Sequence, residues 1–167
     1  MKKTIIAVFV LSFVVSSAFA KISVKGTYDF NGDDDGYKTD SGLSLSGEYL
    51  WTFGRVVSIG VGAEYLLPRD ATDISFLPIY TTAKFKIPAV GLYGKLNLGY
   101  SILANNDIPD SSVTGGVYIS EAIGYELPLG LFFELGYATY SYSYDYKAIA
   151  SGSTSYTKMY LGVGYLF

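Results

Sequence analysis

Eight antiparallel strands closed up and down into a transmembrane β-barrel form the all-β fold that this sequence predicts, and three observations predict it. Apolar and polar residues alternate with a period of two in eight successive segments. The connections between the segments are alternately short and long. The aromatic residues of the apolar face gather at two heights with aliphatic residues between them.

The first twenty residues stand apart from this pattern. Lys2 and Lys3 precede an apolar run from Ile5 to Val15 that is broken only by Ser12, and Ala18-Phe19-Ala20 supplies a small-x-small cleavage site. The run is shorter than the roughly 20 residues that a membrane-spanning helix needs. Residues 1–20 therefore read as a secretory signal cleaved after Ala20, and residues 21–167 as one barrel domain. Without Lys2 and Lys3 the chain has ten basic and fifteen acidic residues, a net charge of −5, which argues against nucleic acid as a partner. It has no cysteine, so no disulfide stabilises an exported domain, and the closed hydrogen-bond network of a barrel in lipid must take that place.

The first segment places Ile22, Val24, Gly26, Tyr28 and Phe30 on one face and Ser23, Lys25, Thr27 and Asp29 on the other. The second alternates Leu43, Leu45, Gly47, Tyr49, Trp51 and Phe53 with Ser44, Ser46, Glu48, Leu50 and Thr52, then turns at Gly54-Arg55. The third runs from Val57 to Leu67 with Gly60, Gly62 and Glu64 on its polar face. The fourth, Leu77 to Ile87, turns Lys84 and Lys86 to the polar side, and the chain reverses at Pro88 to Gly91. The fifth, Leu92 to Ile102, does the same with Lys95 and Asn97.

The sixth segment is the exception, because the phase that groups Val117, Ile119, Ile123 and Tyr125 also puts Glu121 among them. A bulge or a shifted register would account for it. The seventh sets Leu131, Phe133, Leu135 and Tyr137 against Phe132, Glu134, Gly136 and Ala138, then enters Tyr140, Tyr142, Tyr144 and Tyr146, where the phase is undefined. That ladder reads either as an interfacial belt or as a protruding strand edge for protein contacts. The eighth opposes Met159, Leu161, Val163, Tyr165 and Phe167 to Lys158, Tyr160, Gly162, Gly164 and Leu166.

Short turns follow the second, fourth and sixth segments, at Gly54, Pro88 and Leu127 to Gly130. Long polar loops span Asn31 to Ser41, Pro68 to Asp73, Ala104 to Thr114 and Lys147 to Ser153. Alternation alone also fits a soluble barrel with its apolar face turned inward. Two features decide for lipid. The polar face holds many glycines, as a narrow lumen demands. The apolar face also sorts its aromatics: Trp51, Phe53, Phe85, Tyr125, Phe133, Tyr165 and Phe167 lie near the short turns, and Tyr28, Phe30, Tyr65, Tyr100 and Tyr137 toward the long loops. Tyr49 fits neither belt.

The terminal run Met-Tyr-Leu-Gly-Val-Gly-Tyr-Leu-Phe, with Phe167 last and Tyr165 two before it, resembles the C-terminal strand of bacterial outer-membrane barrels. Residues 21–167 as a whole are similar in size and layout to small barrels of the OmpX, Ail and OmpA-transmembrane-domain kind. The resemblance implies a Gram-negative outer-membrane location, short periplasmic turns and longer extracellular loops. It also implies that Tyr165 and Phe167 act as a signal to the barrel-assembly machinery, with outer-membrane lipid and lipopolysaccharide as surroundings.

No histidine or cysteine is present, so Ser-His-Asp and Cys-His catalysis and metals held by those residues are absent by inventory, and no cofactor is expected. A lipid-modifying enzyme is disfavoured for the same reason, since barrels of that type resemble one another in using a catalytic histidine. Asn31, Asp33, Asp35 and Gly36 match the first half of a calcium loop, but its twelfth position is Gly42, which has no carboxylate, and the run reads equally as an acidic hairpin tip. Asp70, Asp73, Asp107 and Asp110 make the other loops acidic against Arg69 alone, suited to divalent cations shared with lipopolysaccharide or to a basic host or envelope surface.

The inward charges suggest a plugged lumen. Lys84, Lys86 and Lys95 should lie near Glu126 and Glu134 at the short-turn end, with Glu48 higher up beside Lys25 and Lys158. The expected function is a non-enzymatic structural and surface-exposed barrel that binds or adheres through its loops, with a narrow passive, porin-like channel as the alternative. The leader predicts a mature N-terminus at Lys21, and intact mass of protein from outer-membrane fractions should lack residues 1–20.

Overall fold

The computed structural model describes residues 20–34, 36–39, 41–68, 75–105, 111–146 and 150–167. Residues 1–19, Ala18 included, lie outside them, as do parts of all four long connections. The strands are β1 (Ala20–Asp34), β2 (Tyr37–Thr39), β3 (Gly42–Phe53), β4 (Val57–Leu66), β5 (Ser75–Lys86), β6 (Leu92–Asn105), β7 (Ser111–Glu126), β8 (Leu131–Tyr146) and β9 (Ala150–Leu166). β1 and β3 to β9 make one antiparallel sheet in chain order, and β9 pairs back onto β1 to close it. β2 is a three-residue return that extends β1, with Gly32 opposite Thr39.

Closure removes the free edges that a bilayer would leave without hydrogen-bond partners. The seam runs from Ser23 opposite Leu166 to Phe30 opposite Met159, and the amide of Phe167 donates to the carbonyl of Ile22 at 2.8 Å. Two of the short turns are stitched to the neighbouring hairpin through glycines in the left-handed region. Gly91 (φ 75°) accepts from the Glu126 amide and Gly130 (φ 90°) from the Leu166 amide, both at 2.9 Å.

The barrel is inside out relative to a soluble one. Ser23, Lys25, Thr27 and Asp29 are buried, while Ile22, Val24 and Tyr28 between them are exposed. Leu43, Leu45, Ile59, Val61, Leu96, Leu98, Leu161 and Val163 are likewise exposed on the outer wall. That arrangement excludes the soluble barrel with an apolar cavity. Tyr49, which belonged to neither aromatic belt, packs edge-on against Trp51 with ring centroids 4.9 Å apart.

Inside, rings lie over glycines that face them directly across the sheet. Gly62 is opposite Tyr80, Gly124 opposite Tyr93, Gly136 opposite Tyr160 and Gly164 opposite Phe132. A Cβ at any of these glycines would land on the facing ring, so the missing side chain is the space the aromatic fills.

Three readings of the sequence need correction. The strands β1, β6, β7 and β9 run into what the sequence suggested were loops, because backbone pairing continues above the apolar band. Tyr140 and Tyr142 point into the lumen, so these two rungs form neither an outer belt nor a sticky edge. Tyr144 and Tyr146 have no described side chains. Glu121 is on the outer wall, opposite Leu96 and Tyr137, and the irregularity of β7 falls between Gly115 and Tyr118. No shift rescues it.

Gly99 tests the packing. A Cβ there would sit 2.6 Å from the Cα and Cβ of Tyr80, atoms that cannot rotate away, whereas nothing lies within 4 Å of one at Gly26. Gly99→Ala should lose about 1–3 kcal/mol in urea unfolding from lipid vesicles, and Gly26→Ala should stay within about 0.5 kcal/mol of the parent.

Candidate functional site

Strand parity delivers charge to the lumen from nearly every wall, and the structure assembles it into three tiers. At the short-turn end Glu126 accepts from Lys84 Nζ at 2.8 Å and Lys86 Nζ at 2.6 Å. The Lys84 ammonium also lies 3.8 Å from the Tyr93 ring centroid, a cation–π contact.

The middle tier is centred on Glu134. Its Oε2 accepts from Lys25 Nζ at 2.7 Å, and its Oε1 accepts from Lys95 Nζ and from the Tyr93 hydroxyl, each at 2.9 Å. Lys95 continues to Glu48 Oε1 at 2.9 Å, where the Tyr80 hydroxyl also donates at 3.0 Å. One lysine therefore joins two carboxylates from opposite parts of the wall, and all four charged side chains are buried.

In the upper tier Lys158 Nζ donates to Glu64 Oε1 at 2.7 Å, Ser44 Oγ at 2.9 Å and Asp29 Oδ2 at 3.1 Å. Asp29 also accepts from Ser44 at 2.7 Å and Thr27 at 3.1 Å, and Glu64 from the Tyr140 hydroxyl at 3.1 Å. Above it Phe76, Tyr118, Tyr140, Tyr142 and Tyr156 form a plug of rings with neighbouring centroids 4.9–6.1 Å apart. Tyr142 reaches Asp34 Oδ1 at 2.7 Å.

At the short-turn end Lys84 and Lys86 meet Glu126 and Lys95 meets Glu134, the neighbours suggested by sequence, but higher up the pairings differ. Glu48 is bonded to Lys95, not to Lys25 or Lys158, while Lys25 crosses to Glu134. Lys158 is held by Asp29 and Glu64, which the sequence reading placed inward but did not assign to the network. A lysine stem spans enough of a narrow lumen to reach two or three strands away, so its partners are not confined to lateral neighbours, although Asp29 lies on the strand that pairs with that of Lys158.

The remaining candidates sit at the ends. Tyr165 and Phe167 are exposed on the outer wall, their rings 4.9 Å apart and edge to face, with the Phe167 backbone tied into the seam. Ala20 begins β1 opposite Trp51. Asn31 and Asp33 are in the upper part of β1. The Asp33 carboxylate accepts from the Gly36 amide at 2.8 Å, closing a turn. Asp35 and the Asn31 side chain lie outside the described residues. Among the described residues no three acidic or histidine side chains group as a metal site.

Truncating Glu134 leaves Lys25 without its carboxylate and Lys95 with Glu48 alone in a buried space. Glu134→Ala should therefore destabilise the barrel by about 3–5 kcal/mol, read as a lowered unfolding midpoint. Lys86→Ala, where the side chain is 28 % exposed and Lys84 remains on Glu126, should cost less than about 1 kcal/mol.

No family model matches the sequence, and no curated protein resembles it beyond chance. Solved structures resemble it in fold. Neisserial surface protein A has 12% identity and a TM-score of 0.53, over 89% of this chain and 97% of that one. The N-terminal β-barrel domain of OprF from Pseudomonas aeruginosa has 14% identity and 0.52, over 88% and 97%. Ail, the attachment invasion locus protein of Yersinia pestis, solved with the heparin analogue sucrose octasulfate, has 14% identity and 0.51, over 89% and 97%. The closed eight-stranded sheet, its apolar outer wall and these likenesses together make the fold that of the small outer-membrane β-barrels.

Proposed function

We propose that this chain is an integral outer-membrane barrel of non-enzymatic function, a closed scaffold whose extracellular loops make the contacts. The observation that carries this reading is the occupied lumen. Five ammonium and five carboxylate groups pair along the barrel beneath a layer of stacked rings, filling the section a solute would have to cross. Eight strands leave room for side chains and little else.

The loops then hold the variable chemistry. Asp33, Asp35, Asp40, Asp70, Asp73, Asp107 and Asp110 outnumber Lys38 and Arg69 along three of them, while Asp34 is held by Tyr142. Such tips favour divalent cations shared with lipopolysaccharide, or a basic protein surface, and they repel a sulfated polyanion of the kind seen bound to Ail. Delivery to the membrane rests on Tyr165 and Phe167, the exposed aromatic pair at the end of the closing strand, as the feature read by the assembly machinery.

Boiling should change the electrophoretic mobility of protein taken from outer-membrane fractions, as the sheet opens only on heating. In planar bilayers the purified protein should give no steady porin-sized conductance, and such conductance would replace the scaffold reading with a channel. Substituting the loop aspartates by asparagine should weaken adhesion of expressing cells to cationic surfaces and leave heat-modifiability unchanged.

A further inference from the structure

Every outward position within the apolar band of the described strands is uncharged except Glu121. Its neighbours across the sheet are Leu96 and Tyr137, and along β7 they are Ile119 and Ile123, all exposed on the outer wall. Counting five residues up from Glu126, at about 3.3 Å each along a strand tilted by about 40°, puts it about 13 Å above the short-turn rim. That is near the middle of an apolar band about 25 Å tall.

Two other polar groups on this wall are satisfied within the chain. Thr81 donates to the Leu98 carbonyl at 3.1 Å and the Tyr100 hydroxyl to the Gly115 carbonyl at 2.6 Å. Glu121 has no hydrogen bond or ion pair to any described residue. Beside it the wall is recessed: the small residues Ala83 and Gly94 leave a groove of about 620 Å³ bordered by Phe85, Leu96, Ile123 and Tyr137.

We propose that Glu121 and this recess are the contact through which two copies of the chain dock side by side in the membrane, their Glu121 carboxyl groups meeting across a two-fold axis. The proposal rests on the membrane reading of the outer wall. A carboxylate facing hydrocarbon without a partner is expensive, so the group calls for a covering contact. A neutral carboxyl carries one donor and one acceptor and is its own complement, which is the requirement of an isologous interface. The described outer wall offers no basic side chain in the band, so no ion pair covers the group, and a two-fold axis through this site brings Glu121 to Glu121. The recess supplies the close approach, as small residues do where membrane segments pack without a hydrophobic driving force.

The chain has no cysteine, so single cysteines report the contact cleanly. Ile119→Cys and Ile123→Cys flank Glu121, and Leu45→Cys lies on the outer wall of β3, between Gly26 and Tyr65 and two strands away from the recess. In phosphatidylcholine vesicles at low protein density, oxidation should link the first two into dimers and leave the third monomeric. Adding Glu121→Leu should reduce the linked fraction about tenfold, the loss of a pair of hydrogen bonds in lipid, while Glu121→Gln, whose amide also pairs with itself, should retain it. Equal linking at position 45, or linking unchanged by Glu121→Leu, would overturn the proposal. Loss with Gln as well as Leu would also overturn it, pointing to a cationic partner. Heat-modifiability of each variant shows that the barrel is intact. A parent chain that never enters vesicles refutes the membrane reading, whereas one that inserts and stays unlinked refutes the dimer alone.

Discussion

Hydrocarbon offers no hydrogen bonds, and the rest of this structure follows from that. Each strand must find partners for its amides and carbonyls within the same chain, which only a helix or a closed sheet achieves. The seam between β1 and β9 meets the requirement, and the last residue contributes to it through the Phe167 amide. The three short turns at the other strand ends are held the same way, with turn carbonyls capping the next hairpin.

The lumen obeys a related rule. Charges taken out of water must be paired, and pairing in a space eight strands wide forces side chains to cross it. Lys95 on β6 ties Glu48 on β3 to Glu134 on β8, and Lys158 on β9 ties Glu64 on β4 to Asp29 on the adjoining β1. The glycines facing Tyr80, Tyr93, Phe132 and Tyr160 make this possible, since rings need somewhere to lie if the lysine stems are to pass. Charge and aromatic packing are thus one device. It fills the lumen with paired charges and packed rings.

Against that background Glu121 is anomalous. A barrel that pairs its inward charges among the described residues has placed one ionisable group outward, at mid-depth, next to a recess. Local rules are obeyed almost everywhere else, and departures from them tend to mark function.

Alternation of residue type determined the strand number, the order of turns and loops, and which face of each strand meets lipid, because a period of two leaves each side chain only two directions. It also placed the lumen charges inward, from Lys25 to Lys158. Tertiary structure decided the rest. Which lysine meets which carboxylate depends on distances across the lumen, which strand stagger sets and linear order does not contain; hence Glu48 chose Lys95 and Lys25 chose Glu134. The direction of Tyr140 and Tyr142 was hidden for the same reason, since tyrosine suits either side of the wall and only the room above Glu64 drew them in. Glu121 was visible in the sequence as a break in pattern, but only the uninterrupted pairing of its strand with Leu96 and Tyr137 showed that the break is real and faces the membrane.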